Sequence, residues 1–291
     1  MARIPMPAFM GPTHPYHEHR GPWFERSFDH EVTRQRIEFK RDYLVGYWTD
    51  YMEEKVRGKH NKKRAGQQWH RRRAMMRVML DELPDTPMFT VVQHDDGMYH
   101  PWPKNLTVFG AGGVGDVSVP LLMPTVKPDH DDRQILQRVA FMGKTRGPNN
   151  RFGVRQAMLE AFADRPEFTN VPVSSYSDYC FLIRHSAFTM CPAGYGLTSF
   201  RLYETLALGS VPVYIHNGTP WLPFQDRLDW DELAVLVAPK QIHELPDRLD
   251  AITERRRQEM LANIRTEFEE HFTMPGVVRR VRDWLEDHDV S

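Results

Sequence analysis

With 291 residues, 41% of them hydrophobic and 11% aromatic, the chain has material for two ordinary domains with buried cores and is no disordered polymer. A formal net charge of −1 excludes a global field that would draw it to nucleic acid or to an anionic membrane. Two cysteines in apolar stretches, Cys180 and Cys191, exclude a disulfide framework and a zinc site, and no window approaches the roughly 18 apolar residues of a membrane span.

Residues 1–22, rich in proline, histidine and glycine, show no period and read as an irregular arm without a signal-peptide pattern. His14, His17 and His19 lie there without a carboxylate or cysteine partner at helical spacing, so no metal site is expected. Lys55 to Arg77 carries ten Lys/Arg and no acid. Trp69, Met75, Met76, Met79 and Leu80 supply the apolar side of a helix over about 67–82. Sparse aromatics and the lack of a nucleic-acid motif favour a solvated helix face over a nucleic-acid strip.

Met88 to Gln93 reads as a short strand, closed by the turn His94–Gly97. A second strand, Leu106 to Phe109, runs into a glycine-rich segment ending at Gly115. Gly110, Gly112 and Gly115 match G-x-G-x-x-G, but strand-like residues 116–120 follow where a dinucleotide site needs a helix. A turn that approaches a substrate closely remains open there.

After a Pro- and Asp-rich linker, 124–132, strands alternate with helices: strand 138–142, helix 151–163, strand 188–191, helix 199–208, strand 211–215. That rhythm predicts βαβ units and a parallel sheet. Two helical patterns close the chain, 240–271 and 276–287, with Pro275 at a helix start. The expected division is an arm 1–22, an N-terminal α/β lobe 23–130, a C-terminal α/β lobe 131–274 and a last helix 275–291 able to pack back on the N-terminal lobe.

Ligands of open parallel sheets bind beyond the strands' carboxyl ends, where helix N-termini point. Lys144 and Arg146 follow a strand ending at Met142, and Thr198 or Ser199 begins a helix with free backbone donors. Arg201 and Glu204, three apart, share a helix face. Arg201 suits a diphosphate and Glu204 ribose hydroxyls; an ordinary N-cap and a surface ion pair would explain the same residues.

The stretch from Tyr176 to Trp230 resembles the C-terminal signature of the exostosin family, glycosyltransferase family forty-seven. The matching residues are Ser186 to Pro192, Gly194, Ser199 to Glu204, Gly209 to Pro212, Pro223, Phe224, Asp229 and Trp230, in family order. The short chain looks most like the small soluble homologues of microbes and large algal viruses, and it is expected to be soluble and cytoplasmic. The resemblance implies a GT-B architecture, two Rossmann-like lobes with a cleft between them. It also implies inverting transfer from a UDP-sugar, UDP-xylose being favoured slightly, to a hydroxyl of a glycan acceptor, with no obligatory metal or other cofactor.

On that resemblance the donor residues are Gly143, Lys144, Arg146, Tyr176, Pro192, Gly194, Thr198, Ser199, Arg201 and Glu204, with Tyr176 packing on the uracil. Gly112, Gly113 and Asp116 fall on the acceptor side. Asp95 or Asp96, with His94 behind them, is the expected base that deprotonates the acceptor; a plain Asp-Gly β-turn accounts for the same pair. Competing readings are a catalytically inactive glycan- or nucleotide-binding module, a nucleic-acid binder using the basic run, and a dinucleotide oxidoreductase. Sugar, acceptor, linkage and oligomeric state are not specified by the sequence.

Overall fold

The protein is described from a computed structural model that covers residues 2–5, 23–57, 62–98, 101–123, 125–146, 150–172 and 175–288. The chain forms two compact units, one of residues 1–119 with 274–291 and one of residues 120–273. The divisions fall after Val119 and Thr273, where the sequence pattern predicts 130/131 and 274/275.

The first unit contains β1 (Arg3–Ile4), α1 (Trp23–Gln35), β2 (Asp42–Leu44), α2 (Trp48–Arg57), α3 (Lys62–Asp81), β3 (Met88–Val92), β4 (Leu106–Gly110) and β5 (Val117–Ser118). Its sheet runs in the order β1-β2-β3-β4-β5, with every pair parallel. Arg3–Ile4 is therefore an edge strand and not part of an irregular arm. Ala2 and Ile4 accept from the backbone N–H of Tyr43 and Val45, and a strand of two residues shows no period in sequence. His14, His17 and His19 lie outside the described residues.

The core gathers around Phe89 of β3. Its ring centroid lies 4.7 Å from Phe39 and 4.9 Å from Tyr43, with Phe28 of α1 edge-on at 6.5 Å. Helix α3 begins five residues before its expected start and lays Met76 and Leu80 on a second cluster with Trp48, Tyr51 and Met52. Met75, expected on that apolar side, is exposed, as are Arg71, Arg73 and Arg77. The side chains of 53–68, which hold much of the basic run, lie outside the described set.

Buried Glu25 ties three elements together. Its Oε1 accepts from the backbone N–H and Oγ1 of Thr49 in α2, at 3.1 and 3.0 Å, and from the N–H of Gln93 after β3 at 3.0 Å. The Gln93 side chain in turn accepts from Phe24 N–H at 2.8 Å. Burial pushes the Glu25 carboxyl up to about 8 against these hydrogen bonds, and the charge of Asp50 adds to the rise.

The second unit contains β6 (Gln137–Met142), α4 (Val154–Ala161), β7 (Phe168–Val171), α5 (Tyr176–Arg184), β8 (Ser186–Pro192), α6 (Phe200–Ala207), β9 (Val211–Ile215), β10 (Val235–Val237), α7 (Leu245–Ala251) and α8 (Glu254–His271). The sheet order is β10-β9-β8-β6-β7, all parallel. Every residue of β8 and β9 is buried, as a sheet covered on both faces requires. Helix α5, unread in the sequence, is started by a capping box between Ser175 and Asp178.

The single helical pattern expected over 240–271 is three pieces: a 3-10 turn at Pro239–Glu244, then α7, then α8. The break falls at Ile252–Thr253, where Thr253 leaves helical geometry and its hydroxyl caps Arg256 N–H. Helix α9 (Met274–Asp287) belongs to the first unit. It buries Val277, Val278, Val281 and Leu285, and sets Trp284 edge-on to Phe109 of β4 at 5.4 Å.

Both units are thus parallel α/β layers of the Rossmann kind. Among the described residues no helix is long and apolar enough to cross a membrane.

Candidate functional site

In the second unit the strand order turns back on itself at β6. The chain goes from β6 outward to β7, then crosses to place β8 on the other side of β6. The crossover helices diverge there, and the carboxyl ends of β6 and β8 open the crevice in which such sheets bind ligands.

Two arginines fill that crevice. Arg201, in the first turn of α6, donates from Nη2 to the carbonyl oxygen of Met142, the last residue of β6, at 2.7 Å. Its guanidinium carbon lies 4.7 Å from the Phe141 ring centroid and 5.8 Å from that of Tyr179. Its Nε and Nη1 are buried and have no hydrogen-bond partner among the described residues.

Arg155, in the first turn of α4, is 6% exposed and donates from Nη1 to Lys144 O at 2.7 Å and from Nε to Ala193 O at 3.3 Å. Burial, and next the charge of Arg201, push its guanidinium down to about 10, still cationic at neutral pH. Buried Arg155 and half-buried Arg201 beside it, both bonded to backbone carbonyls, form an arrangement that an anion would relieve.

Glu204 follows one turn later on α6 and is 4% exposed. Its Oε2 accepts from the Tyr179 hydroxyl at 2.6 Å, and its Oε1 from the Tyr176 hydroxyl at 3.3 Å. The two tyrosine rings stack at 5.8 Å. Burial and the neighbouring Glu204 charge push both phenols above their ordinary range. Ser199, the N-cap of α6, makes no side-chain cap bond, and its buried Oγ has no partner among the described residues.

Of the residues chosen from sequence, Gly143, Tyr176, Pro192, Gly194, Thr198, Ser199, Arg201 and Glu204 all lie around these strand ends. The Lys144 and Arg146 side chains are exposed, and Lys144 contributes its carbonyl. Tyr176, expected against a uracil, directs its hydroxyl to Glu204. Arg155 and Tyr179 were not chosen; a lone arginine and a lone tyrosine in short helices carry no spacing signal.

In the first unit, His94, Asp95 and Asp96 form the turn after β3, each partly exposed. His94 Nδ1 accepts from Asp96 N–H at 3.0 Å, which leaves the ring proton on Nε2 in the neutral form. The glycine-rich turn packs onto this segment: a Cβ on Gly112 would lie 2.6 Å from Gln93 O and 2.8 Å from the Asp95 backbone. Gly113 has φ 131°. Asp116 Oδ2 accepts from Val108 N–H at 2.8 Å and from Trp102 Nε1 at 3.1 Å, bracing the turn. Among the described residues no group of three or more His, Cys, Asp or Glu side chains could hold a metal ion.

A Rossmann-type unit with two arginines at its switch point has donors placed where parallel α/β sheets take their ligands. Residues 90–252, more than half of the chain, match the exostosin GT47 domain, and the chain belongs to that family of glycosyltransferases. Over 117 residues it is 36% identical to a probable beta-1,4-xylosyltransferase of Arabidopsis thaliana, covering 38% of this chain and 27% of that protein. Over 165 residues it is 31% identical to a probable glucuronosyltransferase of Oryza sativa subsp. japonica, covering 51% and 38%. Over 102 residues it is 35% identical to the exostosin-1 homolog of Caenorhabditis elegans, covering 35% and 26%. The matched stretches thus span between about a quarter and two fifths of these relatives. Among solved structures, AviGT4, a glycosyltransferase involved in avilamycin A biosynthesis, superposes with a TM-score of 0.44 at 11% identity, over 98% of this chain and 96% of that one. The fold class rests on the strand orders above.

Proposed function

We propose that the chain transfers a sugar from a UDP-sugar to a hydroxyl of a glycan acceptor, with inversion at the anomeric carbon and without an obligatory metal. The observation that carries this reading is the Arg155–Arg201 pair, with buried Arg201 Nε and Nη1 lacking acceptors among the described residues at the β6–β8 switch point. A nucleoside diphosphate supplies the charge and acceptors that pair requires. Glu204 accepts from the ribose hydroxyls, and the first backbone N–H groups of α6 face the phosphates.

In the transfer step the acceptor oxygen forms a bond to the anomeric carbon as the bond from that carbon to the diphosphate oxygen breaks. The acceptor proton passes to a carboxylate, for which Asp95 or Asp96 is the candidate. Negative charge grows on the departing diphosphate, where Arg201, Arg155 and the α6 amides stabilise it. The names of the relatives make xylosyl and glucuronosyl donors the first to try.

UDP release from UDP-xylose and UDP-glucuronic acid is the test. Turnover of one of them, lost in Asp95→Asn or Asp96→Asn with UDP affinity intact, is the expected result. Tight UDP binding with no turnover of any UDP-sugar would instead favour an inactive binding module.

A further inference from the structure

Tyr179 touches both side chains to which the donor reading gives a ligand. Its hydroxyl donates to Glu204 Oε2 at 2.6 Å, the shorter of the carboxylate's two tyrosine bonds, while its ring lies beside the Arg201 guanidinium at 5.8 Å. Helix α5 begins at a capping box and runs into β8, so it carries Tyr179 on a fixed support. The two oxygens of Glu204 differ in consequence. Oε2 is held by the shorter bond from Tyr179, whereas among the described residues Oε1 has the 3.3 Å bond from Tyr176, a residue 44% exposed. A long bond to a half-exposed phenol is one that an incoming hydroxyl can replace.

We infer that Tyr179 is a positioning residue that makes the site selective for ribonucleotides: it locks one oxygen of Glu204 so that the other meets the ribose hydroxyls, in register with Arg201. Tyr176 is the exchangeable partner that covers Oε1 until the nucleotide arrives. Without the Tyr179 hydroxyl the carboxylate is free to rotate, and its reach to the sugar is lost while the Arg201 contact stays. This inference rests on the donor-site reading above, and its test keeps the two apart.

The experiment is calorimetric titration with UDP and with 2′,3′-dideoxyuridine diphosphate, which differ only in the hydroxyls at issue. The wild-type protein is expected to prefer UDP by about tenfold or more, the scale of a hydrogen bond to a charged group. Tyr179→Phe keeps the ring against Arg201 and removes only the hydroxyl. Its preference is expected to fall below about threefold through weaker UDP binding, with the dideoxy affinity within about twofold of wild type. Glu204→Gln is expected to lose the preference too, and adding Tyr179→Phe to it is expected to change nothing further, because the tyrosine acts through that carboxylate. Tyr176→Phe is expected to keep the preference.

A wild-type protein that binds both nucleotides equally, or a Tyr179→Phe variant that retains the preference, overturns the inference. Equal losses for both nucleotides in Tyr179→Phe also overturn it, since they mark a purely structural residue. A Tyr179→Phe variant that does not fold also overturns the inference, since it too marks a structural residue. Failure of the wild type to bind either nucleotide overturns the donor-site reading itself.

Discussion

The Nη2 of Arg201 donates to the carbonyl oxygen of Met142 at 2.7 Å, joining the start of α6 to the end of β6 across 59 residues of sequence. That bond holds the guanidinium over the strand end, where its Nε and Nη1 have no acceptor among the described residues. It also explains the residue at position 143, because a Cβ there would lie 2.7 Å from Arg201 Nη2 and 2.9 Å from the Phe141 ring.

Gly143→Ala is therefore expected to displace the guanidinium and leave the fold standing, since the crowded atoms are side-chain ends that can move. UDP affinity should fall about tenfold while the melting temperature shifts by no more than about 2 °C. A large melting shift with unchanged affinity would place the strain elsewhere.

Arg201→Lys should fail to rescue the site. A lysine cannot bond Met142 O and present two further planar donors to a diphosphate. The expected loss in UDP affinity is about 10–100-fold, on the scale of one or two charge-assisted hydrogen bonds. Arg155→Met should weaken UDP binding as well, and titration calorimetry measures both variants.

Gly112→Ala should act on stability and not on nucleotide binding. Its Cβ would meet the backbone of Gln93 and Asp95, atoms that cannot yield as a side-chain end can. A loss of about 1–3 kcal/mol in chemical denaturation is expected, the usual cost of overpacking.

Glu25 gives a pH signature. Its folded carboxyl is raised from the ordinary 4.5 to about 8, so between these values the folded chain holds a proton that the unfolded chain releases. Stability should fall as pH rises through that window and level off above it, by on the order of a few kcal/mol in total. Glu25→Gln, which keeps an acceptor for Thr49 and Gln93, should reduce the slope. Urea denaturation at several pH values between 5 and 9 checks the sign.

Strand β9 was legible to the residue because it is a short, fully buried apolar run between a helix end and a polar turn. Helix α1 was not, because its buried face includes Glu25, Asp29 and Glu31, and charges on the inner face erase the apolar period. The glycine-rich turn read correctly as lacking a following helix, and β5 follows it. What its close approach serves, the backbone of Gln93 and Asp95, is a long-range contact that no local pattern encodes. In the candidate site, Arg201 and Glu204 stood out by their spacing on one helix. The burial of Arg155 depends on carbonyls of Lys144 and Ala193 from two separate loops, and only the folded chain brings these together.

The most direct test of the account is titration of the wild-type protein and Arg201→Ala with UDP, in magnesium and again in EDTA. The account predicts UDP binding to the wild type with the same affinity in both buffers, and a loss of at least about tenfold in Arg201→Ala. No UDP binding by the wild type, or equal affinity in the variant, would contradict it.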